Sequence, residues 1–170
     1  VFVVPASVLL GLSAAILLTR LEGRVANLLY AFLISPMLMP GIVLGIATIV
    51  FWRKFGVGAD LYTTILAQTT FIASFPMLII MARLQRQDRF QEEAALDLGA
   101  SPFFLFRRVT LPFLLPAILT SAALVFLMSF ENYNPSVFSI GGSCTLTTEI
   151  AAQARKEHTP VINALGVVFV

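Results

Sequence analysis

Four long runs without a charged residue set the strongest limit on how this chain folds. They are Val1–Thr19, Val25–Trp52, Leu61–Ala82 and Val109–Phe130. A bilayer core about 30 Å thick is crossed by roughly 20 helical residues, because each residue advances a helix by about 1.5 Å. Each run is close to that length or longer. The sequence therefore predicts an all-α fold, a polytopic bundle of transmembrane helices in the lipid bilayer.

Composition supports a membrane protein and excludes several classes of site. Only 12% of the residues are charged, whereas soluble domains carry about a quarter. The net charge of +2 is small, and no basic run is interleaved with aromatic residues, so nucleic acid is not an expected partner. Cys144 and His158 are the only residues of their types. We therefore predict no metal site, no cofactor and no catalytic residue.

Both ends of the chain lie inside apolar runs, so we interpret it as a fragment of one transmembrane domain that is truncated at both ends. A fifth span is expected to begin in residues 159–170. Within the second run, Pro36 and Pro40 interrupt the helix pattern. Membrane bundles tolerate such prolines where neighbouring groups satisfy the freed backbone. In the connector before the third run, Asp60 is placed to cap the helix that follows.

Arginine and lysine are unevenly divided between the two sides of the predicted membrane. Seven lie on the side of the central loop, residues 84–108, and four on the other side. The seven are Arg20, Arg24, Arg83, Arg86, Arg89, Arg107 and Arg108, and the four are Arg53, Lys54, Arg155 and Lys156. Cytoplasmic loops carry the excess of positive residues. We therefore expect the central loop in the cytoplasm and the segment Glu131–His158 outside.

The central loop has the signals of a helix, a sharp turn and a second helix. Asp88 to Gln91 has the form of a capping box, in which Asp88 accepts from the backbone and Gln91 reaches back. Gly99 follows where a left-handed residue ends a helix. Ser101-Pro102 is typical of an N-cap and first helical residue. The second helix is expected to enter the membrane and to be kinked by Pro112.

Two other interpretations of this loop follow from the residues alone. It is either a plain connector with solvated charges or an interfacial helix that lies on lipid. Four acidic residues argue against anionic headgroups as its contact: Asp88, Glu92, Glu93 and Asp97.

The spacing in the loop resembles a known motif. Glu93-Ala94-Ala95 is followed after three residues by Gly99, and after nine more by Val109-Thr110-Leu111-Pro112. This is similar to the EAA loop of permease subunits of binding-protein-dependent, type I ABC importers. The resemblance implies that the helix sits in a cleft of a cytoplasmic ATP-binding subunit. It assigns coupling to the ATPase to a set of loop residues: Glu93, Ala94, Ala95, Asp97, Gly99, Leu111 and Pro112.

The same resemblance implies a transport subunit in the bacterial plasma (inner) membrane. Its expected partners are two ATP-binding subunits, a second permease that is homologous or identical, and an extracytoplasmic solute-binding protein. The sequence contains no GxxxxGK[ST] phosphate loop, so ATP chemistry is expected in the partner.

A second stretch bears on the substrate. Ser129 to Tyr133, together with the segment that follows, resembles the spermidine/putrescine branch of these permeases. That branch usually has an acidic pair after the serine, and here Glu131-Asn132 supplies one acid. Glu131, Asn132 and Tyr133 are therefore candidates for a path that holds a cation by charge and by cation–π contact. Two alternatives remain: Glu131 is solvated or caps the helix end, or the permease carries another small solute.

Two further classes of membrane protein make demands that the spans do not meet. An ion-coupled secondary transporter with helices broken at Pro36 and Pro40 would need an ion ligand at the middle of the bilayer. An intramembrane enzyme would need a nucleophile and a base. The four runs contain no histidine, aspartate, glutamate or lysine.

Overall fold

The computed structural model of the chain describes residues 2–131, 136–137, 140–141, 148–149 and 152. No strand occurs among these residues, which confirms the all-α prediction. The helices are α1 (Val3–Arg20), α2 (Arg24–Leu38), α3 (Gly41–Lys54), α4 (Leu61–Ile72), α5 (Ser74–Leu84), α6 (Arg89–Asp97), α7 (Pro102–Leu105), a π-helical turn (Phe106–Thr110) and α8 (Leu111–Glu131). The fifth span predicted at residues 159–170 lies outside the described part.

Three helical segments are long and apolar enough to cross a membrane within the described ranges. They are Val3–Arg20, Leu61–Leu84 and Pro102–Glu131. The pair formed by α2 and α3 adds a fourth if it is counted as one span. These segments largely coincide with the uncharged runs found in the sequence. The prediction of a polytopic membrane bundle is therefore confirmed.

The second apolar run consists of two helices rather than one. Helix α2 ends at Leu38, and α3 begins at Gly41 with Pro40 as its N-cap. Steric contact with a proline ring drives the preceding residue out of the helical conformation, so Met39 cannot continue α2. Pro40 itself loses no hydrogen bond there, because the first N–H groups of a helix have no intrahelical partner.

Pro36, by contrast, stays inside α2 because nearby hydroxyls replace the hydrogen bonds that it disturbs. A proline leaves the carbonyl four residues earlier without its donor. That carbonyl, of Phe32, accepts from Ser35 Oγ at 2.8 Å. In the same turn, the carbonyl of Leu33 accepts from Ser74 Oγ of α5 at 2.7 Å. The prediction that neighbouring groups make Pro36 tolerable is confirmed.

Helices α1, α5 and α8 build the core of one compact unit, which comprises Val1–Leu38 and Thr69–Leu127. Each helix contributes two buried residues three positions apart, the spacing that places side chains on one helical face. They are Ala15 and Leu18 of α1, Met77 and Ile80 of α5, and Leu114 and Ala117 of α8. In a membrane this core is held by close packing, because lipid tails are as apolar as the side chains.

Gly11 allows α1 to lie directly against α5. A Cβ atom at this position would be 2.7 Å from the backbone nitrogen of Met77 and 2.8 Å from Cγ of Pro76. Neither atom belongs to a flexible side chain, so a larger residue would force the two helices apart. Small residues at such contacts are the usual means of close helix approach in membranes.

A second unit comprises Met39–Gln68 and Met128–Val170. The start of α4 is fixed here by Asp60, which accepts from the N–H of Leu61 at 2.6 Å and donates its own N–H to Thr63 Oγ1 at 2.9 Å. The predicted cap is therefore confirmed. In the same unit, the backbone of Gly141, at φ +62°, lies against the carbonyl of Ala59 with no room for a Cβ atom.

We expect Gly11→Val to destabilise the contact between α1 and α5. Overpacking of this kind costs about 1–3 kcal/mol, which should lower the midpoint of thermal unfolding measured in detergent. The matched control is Gly58→Val, since nothing lies within 4 Å of a Cβ atom at Gly58. Equal midpoints for the two variants would contradict the packing described for Gly11.

Candidate functional site

Helix α6 begins at a side-chain cap. Asp88 has an extended backbone, and its Oδ1 accepts from the N–H of Phe90 at 3.0 Å. This satisfies one of the N–H groups that have no partner at a helix start. The predicted reciprocal bond from the Gln91 side chain is wrong: among the described residues, Gln91 contacts Asp88 through its backbone N–H, 3.2 Å from the carbonyl oxygen of Asp88.

The end of α6 is closed by a glycine turn. Gly99 has φ +83°, a conformation that glycine adopts at little cost because it has no Cβ atom. Its N–H donates to the carbonyl of Leu96 at 2.9 Å, and the N–H of Ala100 donates to the carbonyl of Ala95 at 3.0 Å. These two bonds define a Schellman motif. The predicted left-handed glycine is confirmed, and the direction of the chain after α6 is fixed by backbone bonds.

The chain then enters the membrane as one helical segment. Ser101 caps it, since its Oγ accepts from the N–H of Phe104 at 3.3 Å, and Pro102 occupies the first turn. The segment continues from Pro102 to Glu131. With the cap at Asp88 and the Gly99 turn, the predicted order of helix, turn and helix is confirmed.

The irregularity expected at Pro112 lies in the turn before it. Residues 106–110 form a π-helical turn, and the N–H of Leu111 donates to the carbonyl of Phe106, five residues earlier. Pro112 has no N–H to donate. The wider π-helical turn before it accommodates the proline, and the N–H of Leu111 keeps a backbone acceptor. The motif residues Leu111 and Pro112 thus mark the change from the π-helical turn to the regular helix α8.

The surface of α6 is exposed along its apolar side. Phe90 is 77% exposed and Leu98 is 89% exposed, and Ala94 lies exposed between them at the helical spacing of four residues. The motif acids Glu93 and Asp97 are exposed as well. Phe90, Ala94 and Leu98 thus form an exposed apolar side of α6, as at surfaces that contact another protein or a membrane.

The flank of α6 that faces the membrane helices is not packed tightly against them. A cleft of about 760 Å³ lies between α6 and the ends of α1 and α5, and Glu92, Glu93 and Leu96 line its α6 side. Ala95 is half-buried and, together with Leu98 and Gly99, lines a smaller depression of about 520 Å³ at the turn. Helix α6 is therefore held mainly through its two ends.

Arg83 connects the helix before the loop with the helix after it. Its Nε donates to the carbonyl of Phe113 at 3.3 Å, and its guanidinium lies 4.4 Å from the centre of the Phe113 ring. This carbonyl lies three residues before Pro116, in the turn that the proline disturbs. Sequence reasoning treated Arg83 only as one of the positive charges. The sequence does not indicate this contact, because Arg83 and Phe113 are 30 positions apart.

The candidate residues for a substrate path are only partly described. Glu131 is the last residue of α8, and it is exposed. Asn132 and Tyr133 lie outside the described residues. Glu131 therefore lies at the end of a helical segment that is long and apolar enough to cross a membrane.

A family model described as "Binding-protein-dependent transport system inner membrane component" matches residues 7–158. The match includes α6, the Gly99 turn and α8. It also covers the described residues of both compact units except the first few of α1.

Several curated proteins are similar over most of the chain. The putrescine transport system permease protein PotI of Escherichia coli (strain K12) is 34% identical over 169 residues, which are 95% of this chain and 60% of PotI. The spermidine/putrescine transport system permease protein PotC of the same strain is 29% identical over 99% of this chain and 64% of PotC. The PotC homologue of Mycoplasma pneumoniae is 30% identical over 65% of this chain and 40% of its own length. The chain thus spans about 60% of the length of the first of these relatives.

We expect Gly99→Val to loosen the end of α6. A side chain with a Cβ atom in the left-handed conformation costs about 1–2 kcal/mol, so the Schellman bonds should open more often. Amide hydrogen exchange of α6, followed by mass spectrometry, should be faster than in the parent. Gly99→Asn is the control, because asparagine tolerates this conformation better. Equal exchange in all three proteins would contradict the role given to the turn.

Proposed function

Since the chain belongs to the family of inner membrane components of binding-protein-dependent transport systems, we propose that it is a permease subunit of an ABC importer for polyamines. In this proposal it forms half of a translocation pathway, and a second permease that is homologous or identical forms the other half. Two cytoplasmic ATP-binding subunits hydrolyse ATP, and an extracytoplasmic binding protein delivers the substrate.

The observation that carries this proposal is the state of α6. The helix is capped at both ends, exposes Phe90, Ala94 and Leu98 on one side, and borders a cleft on the other. An apolar stripe of this kind fits a groove on a partner, in the manner of helix-in-groove recognition. Glu93 and Asp97 are exposed, and in this proposal their carboxylates meet basic residues of an ATP-binding subunit.

Movement of α6 would reach the membrane through the joint at Gly99. The two Schellman bonds hold Gly99 and Ala100 against the end of α6, and Ser101 directly after them caps the segment Pro102–Glu131. Arg83 of α5 bonds to the first turn of α8. A partner that binds α6 in two positions, depending on nucleotide, would therefore shift α5 and α8 together. This is a two-state element biased by a ligand of the partner, which is how coupling between distant sites arises.

The chemistry of ATP hydrolysis is assigned to the partner. The sequence contains no GxxxxGK[ST] loop to hold phosphates. The loop that carries α6 lies on the side with more positive residues, which favours the cytoplasm. A cytoplasmic contact surface would meet the ATP-binding subunit where ATP is available.

The substrate class rests on the relatives and on one acid. PotI and PotC are named for putrescine and spermidine transport, and both substrates are cations. Glu131 is exposed at the end of α8 and supplies a negative charge for such a substrate. The sequence Glu131-Asn132, with a single acid, favours a second candidate function: a permease of this family that carries another small solute.

Glu93→Lys is expected to uncouple uptake from ATP hydrolysis. The substitution places a positive charge where the cleft of the ATP-binding subunit is expected to hold a carboxylate. Uptake by the full-length reconstituted importer should therefore fall by more than about tenfold. Less ATP-binding subunit should be recovered with the permease after purification. Glu149→Lys is the control, since it makes the same charge change at an exposed residue of the other compact unit. Unchanged uptake and unchanged subunit recovery for Glu93→Lys would contradict the coupling role.

Glu131→Gln is expected to slow uptake of a cationic substrate. Loss of an exposed charge partner should reduce the initial rate by about twofold to fivefold, measured with radiolabelled putrescine in proteoliposomes at matched amounts of complex. Glu149→Gln removes the same charge from an exposed residue further along the chain and should keep the parent rate. Equal rates for Glu131→Gln and the parent would remove Glu131 from the substrate path.

A further inference from the structure

A buried glutamine joins two positions on either side of Glu131. The Nε2 of Gln68 donates to Ser136 Oγ at 2.6 Å, and its Oε1 accepts from Ser129 Oγ at 3.2 Å. Gln68 is 5% exposed and Ser136 is 1% exposed. All three residues belong to the same compact unit. One amide on α4 thus contacts the last turn of α8 and a residue five positions beyond the end of that helix.

The position of Gln68 in the chain requires its side-chain amide to form hydrogen bonds within the protein rather than with water. Gln68 lies within the segment Leu61–Leu84, which is apolar and long enough to cross a membrane. A polar side chain in such a segment needs a partner in the protein, because the surrounding hydrocarbon offers none. Both ends of the Gln68 amide have one. The amide therefore selects one arrangement of the two serines, and a change of that arrangement would leave a buried polar atom unpaired.

The bond to Ser129 also determines the direction in which Glu131 lies. Two residues along a helix correspond to a rotation of about 200°, so Glu131 is on the opposite side of α8 from Ser129. The exposures agree: Val125 and Ser121, one and two turns before Ser129 on its side, are fully buried, whereas Glu131 is exposed. Holding Ser129 against α4 turns the Glu131 carboxylate away from α4.

We propose that Gln68 is a positioning residue for substrate passage, which acts by fixing the rotation of the last turn of α8 and with it the place of the Glu131 carboxylate. This inference rests on the proposed function, because it needs Glu131 to meet a cation on its way through the membrane. It adds a specific expectation: the preference between cations of different length depends on a residue that does not touch them.

The test uses the full-length chain in the complete reconstituted importer, with putrescine and spermidine as probes. The measured quantity is the ratio of their initial uptake rates, since that ratio does not depend on how much complex folds. Gln68→Leu should lower uptake of both substrates by about tenfold, as expected for loss of a buried hydrogen-bonded partner. It should also change the ratio by about twofold or more, because the charge is displaced relative to the cations. ATP hydrolysis without binding protein should stay at the parent rate.

Two serine variants of α8 separate positioning from stability. Ser129→Ala removes one of the two bonds to Gln68 and should change the ratio in the same direction, whereas Ser129→Thr keeps a hydroxyl and should restore the parent ratio. Ser121→Ala is the matched control. Ser121 is fully buried on the same helix, but it donates to the carbonyl of Ile118 in its own turn. Its replacement should leave the ratio unchanged.

The outcomes distinguish this inference from the proposed function. A parent complex that takes up neither polyamine contradicts the proposed substrate and this inference with it. A parent that takes up both, with the parent ratio retained in Gln68→Leu and Ser129→Ala, contradicts the positioning role alone. If Gln68→Leu does not assemble, Ser129→Ala and Ser129→Thr decide the matter by the same ratio.

Discussion

In the hydrocarbon core of a membrane, a backbone carbonyl that loses its helical donor must find another one in the protein. In this chain, side chains donate to carbonyls in the turns before Pro36 and Pro116, and Ser35 Oγ donates to the carbonyl of Phe32, which Pro36 leaves without its helical donor. Ser35 and Ser74 bond to carbonyls in the turn before Pro36, and Arg83 bonds to the carbonyl of Phe113 before Pro116. Two of these donors, Ser74 and Arg83, belong to α5. Helix α5 is therefore fixed to α2 and α8 by hydrogen bonds at irregular turns, in addition to its close packing on α1 at Gly11.

These connections explain how a small helix outside the membrane can act on the helices within it. Helix α6 has few contacts of its own with the spans, because a cleft separates them. Its ends are nevertheless fixed, by Asp88 at the start and by the Gly99 turn at the end. A force on α6 therefore reaches the π-helical turn and α8 directly, and reaches α5 through Arg83. In the proposed importer, binding of nucleotide by the partner would supply that force.

Local signals were sufficient to predict the central loop. Asp88, Gly99 and Ser101 each form a short-range hydrogen-bonding pattern that depends on a few neighbouring residues, and the predicted order of helix, turn and helix is confirmed. The spacing from Glu93 to Pro112 likewise indicated the family that the chain matches. The effect of each proline on its helix was harder to predict, because it depends on the contacts around the proline as well as on the proline itself. Pro36 remains helical beside Ser74, whereas Met39 and Pro40 separate α2 from α3. The contact of Gln68 with Ser136 joins residues 68 positions apart, and no local pattern announces it.

The central claim is that the exposed side of α6 lies in the cytoplasm and is covered by an ATP-binding subunit. Labelling of a single cysteine tests it most directly: Ala94→Cys in a chain whose only cysteine, Cys144, is replaced by serine. With a maleimide that does not cross membranes, inside-out vesicles of the permease alone should be labelled rapidly at residue 94. Labelling should become much slower when the ATP-binding subunit is assembled on the permease. Equal labelling with and without that subunit, or labelling only from the outer face, would contradict the account.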